Sequence, residues 1–266
     1  MKFSANLTMM FGEYDFLDRF EHASKAGFRS VEYLSPYDYE PQQIKQRLDE
    51  FELTQSLFNV SIGDWNAGER GLACIPSKQN EFMRGVELAL EYSRVLGNQH
   101  LHVMAGINPN HLNQGNIDIP ENELRQCFIE NIRHAARLAQ QENIIINLEP
   151  INNIDMPGYF LNYQEDGVAY IEAINESNVR LQFDCYHCQI MQGNIVSTFN
   201  KLQHHIEYIQ IAGVPSRHEP NVGELNYDFI LDALVRAGYK GYIGCEYVPN
   251  SSTAEGLDWM NAFSHS

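Results

Sequence analysis

The chain has 266 residues, 44% of them hydrophobic, and a formal net charge of −17. That length and apolar content suit one globular domain of barrel size over residues 1–266, with an ample core and no apolar run long enough to cross a membrane. The charge speaks against nucleic acid as a partner, because the 18 Lys and Arg form no basic block, and it obliges any anion pocket to carry its own local cation.

From the N-terminus the chain enters a strand-like segment directly, without the basic stretch and apolar region of an export signal, so a cytoplasmic location is expected. Short β-branched or aromatic runs then fall near residues 2–8, 30–34, 53–60, 100–105, 144–149, 179–184, 207–212 and 242–247. Amphipathic helical patterns lie between them, such as Phe16-Leu17-Phe20-Ala23, Phe82-Val86-Ala89-Leu90 and Leu124-Phe128-Ile132-Ala135-Ala139. Eight strands alternating with helices predict an α/β fold, a (β/α)8 TIM barrel. Asp15 is placed to cap the first helix, and Gly27, Gly97 and Gly238 stand where left-handed helix ends are expected. Two helix-to-strand junctions, at 26–33 and 237–247, resemble each other, and both set a Glu at a strand end. The long non-periodic segments 61–76, 107–120 and 213–225 follow strands three, four and seven, where they would form a lid or wall over the C-terminal rim.

Some spellings carry less than they suggest. Cys185 and Cys188 form a C-x-x-C, but five cysteines in apolar surroundings, with no second pair, read as reduced packing residues. The glycine-rich run Gly-Asp-Trp-Asn-Ala-Gly-Glu-Arg-Gly (63–71) matches no phosphate loop and is read as a pocket wall. There Trp65 would shield the site and Arg70 would add a cation.

Chemistry concentrates at four strand ends. Glu149, Asp184, Gln210 and Glu246 each close an apolar strand, and the gaps 149 to 184, 184 to 210 and 210 to 246 are 35, 26 and 36 residues, each one strand-plus-helix unit. In a closed parallel barrel all four converge on one rim. Two glutamates, an aspartate and an amide carbonyl are hard oxygen donors suited to magnesium or manganese, with about two coordination positions left for adjacent carbonyl and hydroxyl oxygens of a substrate. Such chelation acidifies the neighbouring C–H, and Glu149 and Glu246 are the candidate proton-handling pair for isomerisation through an enediol. His187 would hydrogen-bond a substrate hydroxyl or serve as a structural histidine. Arg217 would clamp a substrate carboxylate or pair with Glu219 at the surface.

On Phe-Ser-Ala-Asn-Leu-Thr (3–8), Pro-Tyr-Asp-Tyr (36–39), the 63–71 run, Leu-Glu-Pro-Ile-Asn (148–152), Gln-Phe-Asp-Cys-Tyr-His-Cys-Gln (182–189), Ser-Arg-His-Glu-Pro (216–220) and Ile-Gly-Cys-Glu-Tyr (243–247), the chain resembles the hydroxypyruvate isomerase family among the xylose-isomerase-like barrels. The likeness runs end to end and is weaker at 101–106 and in the 107–120 loop. It implies that Glu149 and Glu246 are catalytic acids and metal ligands, with Asp184 and Gln210 completing the set. Sugar epimerases of the wider group usually carry histidine where Gln210 stands, so the glutamine points to the hydroxypyruvate or 2-oxo-tetronate branch. The expected partner is a small hydroxy-keto acid. A ketose 3-epimerase on the same barrel is the alternative, a DNA-repair enzyme and a non-catalytic sugar-acid binder are further rivals, and aromatic loop residues make a homo-oligomer an expectation.

Overall fold

Eight strands form in the order expected: β1 (Lys2–Asn6), β2 (Ser30–Tyr33), β3 (Thr54–Asn59), β4 (His100–Val103), β5 (Ile145–Leu148), β6 (Val179–Asp184), β7 (Ile206–Ile211) and β8 (Tyr242–Cys245). The computed structural model describes residues 1–111 and 118–263. Each strand pairs in parallel with the next, and β1 pairs with β8, so the sheet closes. Residues 112–117 of the 107–120 segment lie outside the described part.

The helices α1 (Arg19–Lys25), α2 (Pro41–Glu50), α3 (Gln79–Leu96), α4 (Glu121–Gln140), α5 (Gln164–Ile174), α6 (Cys185–Met191), α7 (Ile195–Leu202) and α8 (Tyr227–Arg236) lie between the strands. Their stripes bury as the periodicity requires: Phe82, Val86, Ala89 and Leu90 on α3, and Leu124, Phe128, Ile132, Ala135 and Ala139 on α4. Burial of the Phe, Val, Leu and Ile side chains among these is worth roughly 1.5–3 kcal/mol each, which is what holds the helices on the sheet. Gly27, Gly97 and Gly238 all take positive φ at the helix-to-strand junctions. Asp15 departs from expectation, since its side chain makes no cap bond and its backbone carbonyl instead accepts from Asp18 and Arg19. The segment opens with a single 3-10 turn (Phe16–Asp18), whose i to i+3 bond uses the Asp15 carbonyl.

Two helices, α6 and α7, fill the β6–β7 connection, and a 3-10 segment (Ala254–Phe263) follows β8. At the C-terminal rim the 61–76 loop lies against the residues after β4, where Gly71 and Ala105 form an isolated bridge. Gly71 has φ +102°, and a Cβ there would stand 2.3 Å from the Met104 carbonyl oxygen, so this close approach requires glycine. All five cysteines are free and buried. Burial pushes the thiols of Cys185 and Cys188 up, the latter to about 12, so the C-x-x-C is inert packing at the start of α6. No described helix is long and apolar enough to span a membrane.

Candidate active site

Glu149 stands one residue past β5, Asp184 ends β6, and Glu246 stands one residue past β8. Closure of the barrel brings them together: single ligand atoms of Glu149, Asp184, His187 and Glu246 all lie within 4.8 Å of one another, and all four side chains are buried. Asp184 is aimed by the helix it begins. Its Oδ1 accepts from the backbone N–H of Tyr186 (2.6 Å) and His187 (3.4 Å), which caps α6 and leaves Oδ2 turned inward with no hydrogen-bond partner. Glu149 Oε2 accepts from Gln182 Nε2 at 3.1 Å, whereas its Oε1 is buried without a partner. Glu246 is held by Arg217 Nη2 at 2.7 Å and by Asn6 Nδ2 at 3.5 Å.

Gln210 sits beside Asp184 in the sheet register. Its Oε1 accepts from Gln182 Nε2 at 2.6 Å, and its Nε2 donates to Glu32 at 2.9 Å. Gln182 therefore bridges Gln210 to Glu149 with its two N–H bonds.

The tautomer of His187 follows from its neighbour. Asn152 Oδ1 accepts from the N–H of Ile154 (3.0 Å) and Asp155 (2.8 Å), which fixes its amide nitrogen as donor to Asp155 Oδ2 (3.0 Å) and to His187 Nδ1 (2.7 Å). His187 Nδ1 thus bears the lone pair and Nε2 the proton. That Nε2 lies 3.4 Å from Arg217 Nη2 and 3.8 Å from both Glu149 Oε1 and Asp184 Oδ2. Burial, then the Arg217 charge, holds the ring neutral, well below the usual histidine range. In this tautomer the three carboxylates are the donors offered to an ion, with His187 Nε2 lying beside them.

Arg217 reaches the cluster from the loop after β7 with φ 54°, its guanidinium over the Tyr186 ring at 4.9 Å and 3.9 Å from Asp184 Oδ2. It does not pair with Glu219, whose carboxylate takes the Asn250 N–H. Trp65 and Arg70 are a different matter. They partner each other, the guanidinium 3.4 Å from the indole centroid and Nη1 bonded to the Trp65 carbonyl at 2.9 Å, and Trp65 is 42% exposed. Among the described residues no hydrogen bond or ion pair joins either to the acidic cluster.

Electrostatics match the crowding. Burial, reinforced by the charges of Glu246 and Asp184, raises the Glu149 carboxyl well above its ordinary range. Burial likewise lifts Asp184 and Glu246 to about 7 even though Arg217 opposes it. Burial works against the Arg217 charge, but Glu246, Asp184 and Glu149 outweigh it and raise that group further. Two carboxylate oxygens left unpaired and buried within one 4.8 Å cluster are the environment a divalent cation would complete, and the hard oxygen donors fit such an ion.

Sequence reasoning passed over Glu32, Asn6, Gln182 and Asn152. Glu32 is fully buried on β2, with its carboxyl pushed up to about 7 by burial. Its signal was present in the two similar junctions, which set Glu32 and Glu246 at matching strand ends.

The profile of the xylose isomerase-like TIM barrel family matches residues 20–263. A 2-oxo-tetronate isomerase of Cupriavidus necator is 46% identical over 98% of both chains. The hydroxypyruvate isomerase of Escherichia coli is 40% identical over 99% of both. A crystal structure described as an AP endonuclease, family 2, from Brucella melitensis superposes with a TM-score of 0.93 at 42% identity over 98% of both chains. Fold and site together define a barrel enzyme of the isomerase class. Within that class, this chain belongs to the hydroxypyruvate isomerase family of xylose isomerase-like barrels, which includes the 2-oxo-tetronate isomerases.

Proposed function

We propose that this isomerase interconverts hydroxypyruvate and 2-hydroxy-3-oxopropanoate, or the homologous 2-oxo- and 3-oxo-tetronates. The observation that carries the reading is the meeting of Glu149 and Glu246 with Asp184 in one buried cluster. Glu149, Asp184, Glu246 and the Gln210 carbonyl would hold magnesium or manganese, which when bound polarises the substrate carbonyl and acidifies the adjacent C–H.

The remaining work falls to the chain. For hydroxypyruvate, one glutamate takes the C3 proton and a proton returns to C2, while the hydroxyl proton passes from O3 to O2. Glu149 and Glu246 approach from β5 and β8, and together they serve as acceptor and donor for the carbon-bound proton. The neutral His187 gives its Nε2–H to a substrate oxygen. Arg217 takes the substrate carboxylate, supplying the local cation that a chain of charge −17 needs. Trp65 and Arg70, an exposed stacked pair, would wall the pocket entrance. The protein acts in the cytoplasm, with a homo-oligomer as a compatible state and nucleic acid no partner. The description of the Brucella structure brings a DNA-cleaving reading to mind, and the strong negative charge opposes it.

Turnover of hydroxypyruvate and of 2-oxo-tetronate, with and without chelator, tests the reading. Activity should need a divalent ion, and Glu149→Gln and Glu246→Gln should each cost about 10²–10⁴ in kcat with loss of deuterium exchange at C3. Full activity in both variants would sink it. A ketose epimerase would instead turn over free ketoses without needing Arg217.

A further inference from the structure

A fourth carboxylate, Glu32, is buried beside the three already described, and burying a charge is costly unless it is fully paired. Its Oε1 accepts from Asn6 Nδ2 (2.9 Å) and Gln210 Nε2 (2.9 Å), and its Oε2 accepts from the Tyr208 hydroxyl (2.5 Å). Tyr208 is anchored in turn to Ser56 at 2.8 Å. The chain also clears space for it: a Cβ on Gly244 would lie 2.2 Å from Glu32 Oε2. No donor among these is a cation, so simple charge pairing does not explain why this acid is here.

A glutamine amide can present either end, and only the oxygen can hold an ion. A carboxylate only accepts, so the end of Gln210 that meets Glu32 must be the NH2. The oxygen is then turned to the other side, where it meets Gln182 and, through it, Glu149. We propose that Glu32 is the positioning residue that fixes the Gln210 amide with its oxygen toward the cation site. This rests on Gln210 being a ligand, as put forward above. Tyr208, two residues before Gln210 on β7 and therefore on the same face, locks Glu32 from its other oxygen.

Manganese titration by calorimetry on the chelator-stripped full chain separates the parts, with thermal unfolding as the check on folding. Glu32→Asp keeps the charge but withdraws the oxygen from Gln210, and it should weaken binding about 10–100-fold. Glu32→Gln loses the charge but keeps a carbonyl that accepts from Gln210, with the Tyr208 hydroxyl turning to accept from the new amide, so affinity should stay within about threefold of the parent. In a Gln210→Ala background, Glu32→Asp should cost nothing more. The reverse order, with Asp retaining affinity and Gln losing it, would overturn the proposal in favour of a charge effect. Should Glu32→Asp be recovered unfolded, Glu32→Gln still decides: a loss as large as that of Gln210→Ala overturns the proposal and retained affinity upholds it. If Gln210→Ala alone binds as tightly as the parent, the ligand reading fails, which is a separate outcome.

Discussion

Arg217 lies 2.7 Å from Glu246 with its Nε buried and unpartnered, so the guanidinium is held in place while part of its donor fork stays free. A substrate carboxylate would complete that fork, and a neutral sugar would not. Arg217→Ala is therefore expected to lower kcat/KM for hydroxypyruvate by about a hundredfold or more, because it removes the clamp and strands a buried Glu246, and to lower turnover of a neutral ketose less. Steady-state kinetics on both substrates checks this; equal losses would remove Arg217 from acid recognition. The three carboxylates were legible because strand-plus-helix spacing is a long-range ruler. Trp65 and Arg70 have no such ruler, since a loop obeys no period, and their stacking on each other is visible only in the structure. Gln182 carries no such spacing, and Glu32 shows only in the likeness of two junctions, because which face of a short strand turns inward is set by closure of the barrel.

At the scale of elements, all eight strands were visible from their β-branched runs and the helices from their apolar stripes. What the pattern hid was the start of α6. A helix normally begins after a connecting loop, but Asp184 caps the N–H groups of Tyr186 and His187 and starts the helix at the strand's own end. This puts His187 three residues past Asp184 and next to it in space. β8 carries the complementary constraint. Gly244→Ala should displace Glu32, destabilising the fold by about 1–3 kcal/mol in urea unfolding and reducing activity as well. A variant as stable and active as the parent would show that the space is not needed.

For the whole molecule, the buried carboxylates of Glu32, Glu149, Asp184 and Glu246, with the part-buried guanidinium of Arg217 beside them, make stability depend on both pH and cation. Glu32, Asp184 and Glu246 have carboxyls raised to about 7, above ordinary values of 3.8–4.5. Without a cation their stabilising contribution is complete below that ordinary range and is lost as pH rises through about 7. His100 and His102, lowered by burial to about 4 and about 3, act in the opposite sense and lose stability as pH falls below 6.5. A cation binds the deprotonated acids, so the gap in Tm between manganese-loaded and chelator-treated protein should widen from about pH 6 to about pH 8. A gap that is constant or narrows would contradict the acidic-cluster account. Barrel closure has one further consequence, for synthesis of the protein. Asn6 near the start touches Glu246 near the end, and β1 gains its second neighbour only with β8. Until β8 has been synthesised, the nascent sheet carries two open edges that invite pairing with other chains, and Glu246 joins its partners only after translation has passed it.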